Sequence, residues 1–546
     1  MTMPLGHIII LPIVLPLFVG AVLLLFRDQN KVAKAIATGV TMAALIVVSV
    51  VLLFLTGAGA DNGWLGVYLL GNWSPIFGIV LVADRTAAVM LTLTSVLGAA
   101  AMTFASARWN GAGPHFHSLF LFLIVGVNGA FLTGDLFNLF VFFEIMLAAS
   151  YGLLLHASTV AKVRSGLHYI AINLVASFIF LIGVSLIYGV TGTLNMAELA
   201  MRAPEIADAD RMLFEVGAAV LGMAFLIKAG MWPLCFWLPS AYSAAVSPVA
   251  AIFAILSKVG IYVVWRMSLL IFGLETGPSA GLAQNWLLIG GLVTLVFGSV
   301  GVLASQSLAR LTSYAVIVSS GTMLVSIGIG GVEVAAGAFY YMVGSTLALA
   351  ALFMLVELIE RGRMAGADVL AVTMEAFGFE DEDALPDEEE VGIPIPGKLA
   401  LLGISFIACA LLIAGMPPFS GFIAKFAILT GIIGINAGET GVPIAGADWV
   451  AVALLIISGL AVLIAMLRGG INTFWATRED MTPTIGVVEI VPITMLIGAC
   501  LALTIFAGPA MGYFEAAAAE LHNPVAYVDG VVSSTSVPYP GRGALP

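Results

Sequence analysis

The sequence is poor in charged residues, because Asp, Glu, Lys and Arg supply only 10% of its 546 residues. A soluble chain carries about 25%, so an ordinary water-soluble protein is excluded. Cysteine is also scarce: Cys235, Cys409 and Cys500 are the only three, and they form no CxxC pair. Their spacing indicates neither a disulfide framework nor a metal site. The sequence also lacks a P-loop and a dinucleotide-binding glycine fingerprint. We therefore expect no cofactor, no metal and no nucleic-acid partner.

Hydrophobic residues make up 61% of the chain, and its mean hydropathy is +1.11. Long apolar runs recur along it, such as residues 8–26 and 45–55. A helix needs ~20 mainly apolar residues to cross a bilayer. Only helices and closed barrels satisfy all their backbone hydrogen bonds in lipid, and the strict alternation of barrel strands is missing here. The sequence therefore predicts an all-α polytopic membrane protein.

Fourteen apolar segments are candidates for membrane spans. They lie near residues 5–26, 35–56, 78–106, 118–134, 136–156, 168–189, 212–231, 246–272, 284–304, 311–331, 334–357, 398–432, 447–468 and 486–510. The first has no basic residue ahead of it and no small-residue cleavage site after Phe26, so we expect a span and not a cleaved signal. The twelfth is interrupted by Pro417 and Pro418, which predicts one broken helix rather than two spans.

The lysines and arginines predict the orientation of these spans. With the N-terminus outside, the inner connections hold twelve of the 20 Lys and Arg residues and the outer ones hold five, as the positive-inside rule requires. Both termini are then expected outside the membrane. The acidic segment within 358–397 is predicted to be a cytoplasmic linker, either a solvated spacer or a contact for a basic partner or cations. The polar tail from about residue 511 is expected to be poorly ordered.

Four ionisable residues fall well inside predicted spans, whereas the other charged residues lie in connections or at or near the ends of spans. The four are Glu144, Lys228, Lys258 and Lys425. A charge at mid-helix costs about 2.5–3.5 kcal/mol on insertion scales, and such residues usually mark ion or proton paths. An acid and three bases along one membrane plane can form a relay, because the proton affinity of each group depends on the charge of its neighbours. The alternatives are a structural role for Glu144 between helices, and lysines at 258 and 425 that reach toward an interface.

Two short stretches of the chain resemble each other. KAGMWP (228–233) and AGMPPFSGFIAK (414–425) share the pattern Ala-Gly-Met-x-Pro, and each places a proline break beside a lysine. Broken helices at matching positions of two halves are typical of inverted-repeat transporters with a path at the midplane. The repeated motif therefore favours a transporter.

Asp135, just after Gly134, is predicted to cap a helix rather than to carry protons.

At these residues the chain resembles the antiporter-like family shared by the Mrp (also called Pha or Mnh) multisubunit Na+/H+ antiporters and the membrane arm of respiratory complex I. The resemblance covers roughly residues 80–470. It is carried by GDLFNLFVFFEIMLAASYGLL (134–154), IKAGMWPLCFWLPSAYSAAVSPVAAIFAILSKVGIY (227–262) and GMPPFSGFIAKF (415–426). Within the family, residues 186–200 and 344–370 resemble the D subunits more than the complex I proteins.

The resemblance implies an architecture. About 14 transmembrane helices are expected, with two inverted five-helix repeats in which helices 7 and 12 are broken. The N-terminal helices would occupy residues 1–110, the first repeat 111–275, and the second repeat 276–470 with the acidic linker 358–397. The last helix and an external tail would occupy 471–546.

The resemblance also implies a function. A D-type subunit of a monovalent cation/proton antiporter is expected in a prokaryotic cytoplasmic membrane, where it works with the other subunits of its complex. It is a transporter rather than an enzyme. By this resemblance Glu144 and Lys228 form the pair of the first half-channel, Lys258 connects onward, and Lys425 closes the second half. Two alternatives stay open: a proton-pumping membrane subunit of an NADH:quinone oxidoreductase, and a non-conducting scaffold subunit.

The chain departs from the family pattern at four positions. Cys235 stands where many members have histidine, Ala309 and Ser319 replace the usual lysine and a histidine or glutamine, and Gly344 stands where D subunits often have histidine. We expect these changes to thin the polar axis of the second half, so that water or neighbouring subunits complete it. No acidic or carbonyl cluster suited to Na+ is evident, so we expect the cation to cross elsewhere in the complex.

Overall fold

The computed structural model describes residues 6–26, 30–57, 64–109, 115–157, 159–273, 277–361, 397–436, 446–474 and 485–534. The acidic run of the predicted linker lies outside these residues, as does the end of the tail from residue 535.

Helices lie over each of the predicted apolar segments. In the first part of the chain they are α1 (Leu11–Leu25), α2 (Lys31–Gly57), α3 (Arg85–Arg108), α4 (Phe116–Leu132), α5 (Leu136–Leu154), α6 (Val160–Thr191), α7 (Met196–Arg202), α8 (Asp208–Ala229), α9 (Trp237–Ala244) and α10 (Ser247–Leu270). The second part contains α11 (Gln284–Ala304), α12 (Leu308–Ile329), α13 (Val332–Glu360), α14 (Gly397–Ala414), α15 (Ser420–Asn436), α16 (Gly446–Phe474), α17 (Val487–Ile505), α18 (Ala507–His522) and α19 (Val525–Val532).

Twelve of the described helices are long and apolar enough to cross a membrane. Three shorter apolar helices accompany them: α1, α4 and most of α15. The helical prediction is therefore confirmed, with one small addition. Strands β1 (Gly66–Leu69) and β2 (Val80–Ala83) pair antiparallel, with Gly66 opposite Ala83 and Leu69 opposite Val80. This hairpin leads directly into α3.

Side-chain caps fix where several helices begin. Asp84 accepts a hydrogen bond from the backbone N–H of Ala87 at the start of α3 (2.8 Å). Asp135 does the same for Asn138 at the start of α5 (2.8 Å), which confirms its predicted role as a cap. Each carboxylate satisfies a backbone donor that the first helical turn leaves unpaired.

Three helices form the centre of the bundle. In α10, 94% of the span is buried by the rest of the chain, and in α12 and α13 the share is 89%. In α2, α6 and α17 the share is only 33%, so these helices lie at the periphery with apolar faces suited to lipid or to other subunits. A charge on α10 therefore meets protein rather than lipid, whereas a charge on a peripheral helix needs a neighbour to cover it.

The two Ala-Gly-Met-x-Pro motifs adopt the same backbone. After α8 and after α14, Gly230 and Gly415 have positive φ values of 75° and 77°. The following backbone N–H groups, of Met231 and Met416, then bond the carbonyl oxygens five residues earlier, at 3.1 and 3.0 Å. This is a Schellman-type helix end, for which glycine is strongly preferred. Both predicted breaks are confirmed, since helix resumes only at α9 and at α15.

The prediction of a poorly ordered tail is wrong for residues 511–534. Helices α18 and α19 occupy this stretch and bury Phe514, Leu521, Tyr527 and Val531 against the bundle. The Tyr513 hydroxyl also lies 2.8 Å from that of Thr56. The prediction relied on the average polarity of the tail and overlooked the spacing of its apolar residues. Positions 514, 517, 518 and 521 follow the pattern of a packed amphipathic helix.

Candidate functional site

Lys228 lies in the last turn of α8, next to the first helix break. The residue is 7% exposed, and its Nζ donates a hydrogen bond to Asn173 Oδ1 on α6 at 2.5 Å. Helix α10 packs closely beside it, because a Cβ on Gly260 would lie 3.0 Å from the Cβ of Lys228 and 2.8 Å from the backbone N of Ala229. The lysine is thus held between two helices by one polar partner and one glycine contact.

Glu144 is half-buried near the middle of α5. Its Oε1 accepts a short hydrogen bond from the Ser177 hydroxyl of α6. Glu144 and Lys228 line one small cavity whose walls include Phe140, Phe143, Phe180 and Phe225. The structure describes both side chains and shows no direct ion pair between them; instead, each contacts α6.

The link between Glu144 and Lys228 therefore runs along α6. The Ser177 hydroxyl oxygen, which donates to Glu144, also lies 3.1 Å from the backbone carbonyl oxygen of Asn173, and the Asn173 side chain accepts from Lys228. Residues four apart face the same side of a helix, so Asn173 and Ser177 form one polar step between the acid and the base. Sequence analysis missed both residues.

Lys258 lies on α10 at the centre of the bundle and is 0% exposed. Its Nζ donates to Ser319 Oγ on α12 at 2.7 Å. The Ser319 oxygen is in turn 3.1 Å from Ser345 Oγ on α13. A buried lysine with a buried partner does not reach toward an interface, so the alternative of an interfacial Lys258 is excluded. The three central helices share this polar chain.

Lys425 lies on α15, just after the second helix break. It is 7% exposed, and its Nζ donates to the carbonyl oxygen of Ala414 at 2.9 Å. That carbonyl belongs to the last turn of α14, where the unpaired carbonyl groups carry partial negative charge that favours a cation. A Cβ on Gly459 of α16 would lie 2.9 Å from the Lys425 Nζ. The lysine is therefore enclosed at the break rather than extended to an interface.

Ser319 is one of the positions at which the chain departs from the family pattern, and it keeps a polar contact to Lys258. Ser320 and Ser420 add two buried hydroxyl groups that lack hydrogen-bond partners among the described residues. Gly344 faces Ser420, since a Cβ there would lie 3.5 Å from the Ser420 Oγ. Small side chains thus place several buried hydroxyl groups on α12, α13 and α15.

We expect Ser319→Ala to slow transport by roughly tenfold or more, because a hydrogen bond to a charged group contributes about 1.5–3 kcal/mol. The initial rate of exchange in vesicles, normalised to the amount of assembled protein, is the measurement. Ser326→Ala is the matched control, since Ser326 is also buried on α12 but bonds only the Thr322 carbonyl of its own helix. Equal rates in the two variants would show that the Lys258 contact is dispensable.

Comparison with known proteins shows which family has this sequence and fold. The family model described as "NADH:quinone oxidoreductase/Mrp antiporter, TM" matches residues 133–379. The D subunit of a probable K(+)/H(+) antiporter from Rhizobium meliloti (strain 1021) is 55% identical and aligns over 98% of this chain and 99% of its own length. The D subunit of the Na(+)/H(+) antiporter from Alkalihalophilus pseudofirmus is 34% identical over 96% and 99% of the two chains.

A solved structure shows the same fold. One chain of the Mrp complex from Dietzia sp. DQ12-45-1b superposes with a TM-score of 0.80 at 26% identity, covering 97% of this chain and 100% of that one. Fold and site thus define a multi-pass membrane protein of the transporter class. More narrowly, the chain belongs to the family of D subunits of multisubunit cation/proton antiporters.

Proposed function

We propose that this chain is the proton-translocating, antiporter-like member, of the D type, of a multisubunit monovalent cation/H+ antiporter. The observation that carries the proposal is the set of polar contacts made by four ionisable residues inside the bundle. Each of Glu144, Lys228, Lys258 and Lys425 contacts a polar group of a neighbouring helix or half-helix. Buried charges are costly in a membrane and usually mark a path. The relatives' names refer to K+/H+ and Na+/H+ exchange, so the cation here is K+, Na+ or another monovalent ion.

The relay we propose has two parts. In the first, Glu144 and Lys228 exchange protons across the small cavity that they both line, while Ser177 and Asn173 hold the two groups in place. In the second, Lys258 passes protons along the hydroxyl groups of Ser319 and Ser345 toward Lys425. The groups titrate as a coupled set, because the charge of each changes the proton affinity of the next. No covalent chemistry is involved, and the driving force is the proton gradient and the membrane potential.

The matching helix breaks support an inverted-repeat architecture for this path. We propose fourteen spans, with one repeat in residues 111–275 and the other in 276–470, preceded by helices in 1–110 and followed by a last span and tail in 471–546. The shared glycine geometry at Gly230 and Gly415 gives each repeat the same break beside its lysine. Backbone groups freed at such breaks are tolerated where they line a polar path.

The orientation that we propose puts both termini outside and the linker 358–397 in the cytoplasm of a prokaryotic cell. Single cysteines replacing Lys398 and Ser533, which are both exposed, should then react from opposite sides of the membrane. A membrane-impermeant maleimide applied to intact cells is expected to label the cysteine at 533 and not the one at 398. The three native cysteines are buried, so background labelling is small. Labelling of both positions from one side would refute this topology.

One experiment separates this function from its competitors. Everted vesicles that contain the whole complex should dissipate a pH gradient on addition of a monovalent cation, whereas vesicles with this chain alone should not. Because the family is shared with NADH:quinone oxidoreductases, quinone-dependent NADH oxidation by the purified assembly would favour the alternative of a respiratory pump. Full exchange after neutralisation of both Glu144 and Lys228 would favour a scaffold. Exchange by the isolated chain would contradict our view that partner subunits carry the cation.

A further inference from the structure

A second cluster of ionisable residues lies outside the relay, at the face of the bundle covered by α18 and α19. These residues line a cavity of about 500 Å³. Its walls come from the start of α3, the end of α10 and the two C-terminal helices. Its charged lining consists of Asp84, Arg85, Arg266 and Glu520. The proposed function assigns no role to this cavity.

The ion pair between Arg266 and Asp84 has a structural role. Arg266 Nη2 lies 2.6 Å from Asp84 Oδ2, while the other oxygen of Asp84 caps α3 through the N–H of Ala87. The guanidinium also lies over the rings of Tyr262 and Tyr527, at 5.0 and 5.3 Å from their centroids. This pair fastens α10, α3 and α19 together.

The second ion pair is exposed on one side. Arg85 Nη1 lies 2.8 Å from Glu520 Oε1, and the side chains are 9% and 33% exposed. Burial raises the pKa of Glu520 to about 7, and nearby Asp84 acts in the same direction, although Arg85 and Arg266 oppose the shift. Glu520 therefore changes its protonation state near neutral pH while it stays in contact with the open side of the cavity.

Helix α10 connects this cavity to the relay. Arg266, Tyr262 and Lys258 are spaced four residues apart on it, and the eight residues from Lys258 to Arg266 span about 12 Å. The Tyr262 hydroxyl donates to the Phe131 carbonyl of α4 at 2.8 Å. The cavity thus lies about two helical turns from the most deeply buried lysine of the proposed path.

We propose that this cavity is the proton port of the protein at its C-terminal face, and that Glu520 exchanges protons there with the aqueous phase. The proposal rests on the proposed function, because it supplies the opening of the path that contains Lys258. Hydronium gives its proton to the Glu520 carboxylate and leaves as water, and the Arg85 pair opens. When water carries that proton on to the neutral amine of Lys258, the Glu520 anion and its pair with Arg85 are restored. In the orientation proposed above, this is the outer face.

The test compares Glu520→Gln with Glu515→Gln in the assembled complex. Glu515 is an exposed residue of the same helix, so it controls for loss of one charge. Exchange is measured while the pH on the C-terminal face is varied and the other side is held constant. In the wild type and in Glu515→Gln we expect a midpoint near pH 7, which should disappear in Glu520→Gln and return in Glu520→Asp. An unchanged midpoint in Glu520→Gln overturns the port.

Hydrogen exchange of residues 507–532 gives a readout that does not need transport. The raised pKa means that the folded protein binds a proton which the unfolded chain has released, so local stability falls as the pH rises from about 4.5 to about 7. Protection should be greater at pH 5 than at pH 8 in the wild type, and this difference should vanish in Glu520→Gln. If it persists, titration of Glu520 is refuted. A wild-type complex that shows no cation/proton exchange at any pH refutes the proposed function instead.

Discussion

Replacing Lys228 by alanine is expected to abolish cation/proton exchange, leaving no rate above that of empty vesicles. The substitution removes the base of the proposed first half-path and leaves Asn173 without its cation. Glu144→Ala is expected to have the same effect because it removes the acid, while Glu144→Asp should keep part of the activity. The measurement is dissipation of a pH gradient in vesicles that contain the whole complex, beside the amount of assembled protein.

Two exposed residues provide matched controls for this pair. Lys398 and Glu205 lie at the surface of the described structure, and their alanine variants should exchange at the normal rate. Assembly should persist in all variants, because the pair is a small part of the surface that the helices bury. Normal exchange in Glu144→Ala, with protein at normal levels, would return Glu144 to the structural role left open by its sequence.

Asp84→Ala is expected to lower the free energy of unfolding by about 3–5 kcal/mol, the usual cost of removing one partner from a buried ion pair. Its partner Arg266 is 6% exposed and would keep an uncompensated charge between two tyrosine rings. The start of α3 would also lose its cap. The midpoint of thermal unfolding of the purified protein in detergent, followed by intrinsic fluorescence, measures the loss.

The double variant Asp84→Ala/Arg266→Met tests the physical reason. It removes both charges, so it should recover a large part of the stability that the single variant loses. Asp208→Ala is the control for an exposed pair. The Asp208 side chain is 97% exposed, and its Oδ1 lies 3.5 Å from Arg211 Nε. Such pairs contribute little, and no measurable shift is expected. A single variant that unfolds at the wild-type temperature would show that the Asp84 pair is not a structural clamp.

The ionisable residues of the proposed path were predictable from sequence because charge inside an apolar run is a strong local signal. Glu144, Lys228, Lys258 and Lys425 each stand out against their neighbours without any knowledge of the fold. The two breaks were predictable for the same reason, since proline and glycine act on the backbone where they stand. The structure then places all three lysines at buried positions with polar partners.

The partners themselves were not predictable. Asn173 and Ser319 are uncharged residues on apolar helices, and many serines and threonines in such helices simply bond the carbonyl four residues earlier, as Ser299 and Thr312 do. No local feature of the sequence distinguishes a polar side chain that contacts a buried lysine from one that bonds only its own helix. From the sequence alone, Ser319 is interpreted as a loss of polarity relative to the family pattern. Its contact with Lys258 is visible only in the fold.

The tail shows how a composition argument fails. Residues 511–534 are rich enough in small and polar residues to suggest disorder, yet Phe514, Leu521 and Tyr527 supply enough apolar contact to dock two helices. The periodic spacing of the apolar residues was a usable signal. The cavity beneath them was not predictable, because Arg85 and Glu520 are brought together only by the packing of α18 on α3.

The sequence by itself determined the class of the protein, the position of its long apolar helices, the two breaks and the four ionisable residues within apolar runs. Each of these follows from hydropathy or backbone preference over a short window, which the chain carries locally. Only the tertiary structure decided which groups meet: Lys228 with Asn173 across 55 positions, Lys258 with Ser319 across 61, and Arg266 with Asp84 across 182. Such contacts depend on how helices pack, and a buried charge accepts whichever polar partner that packing brings within hydrogen-bond distance.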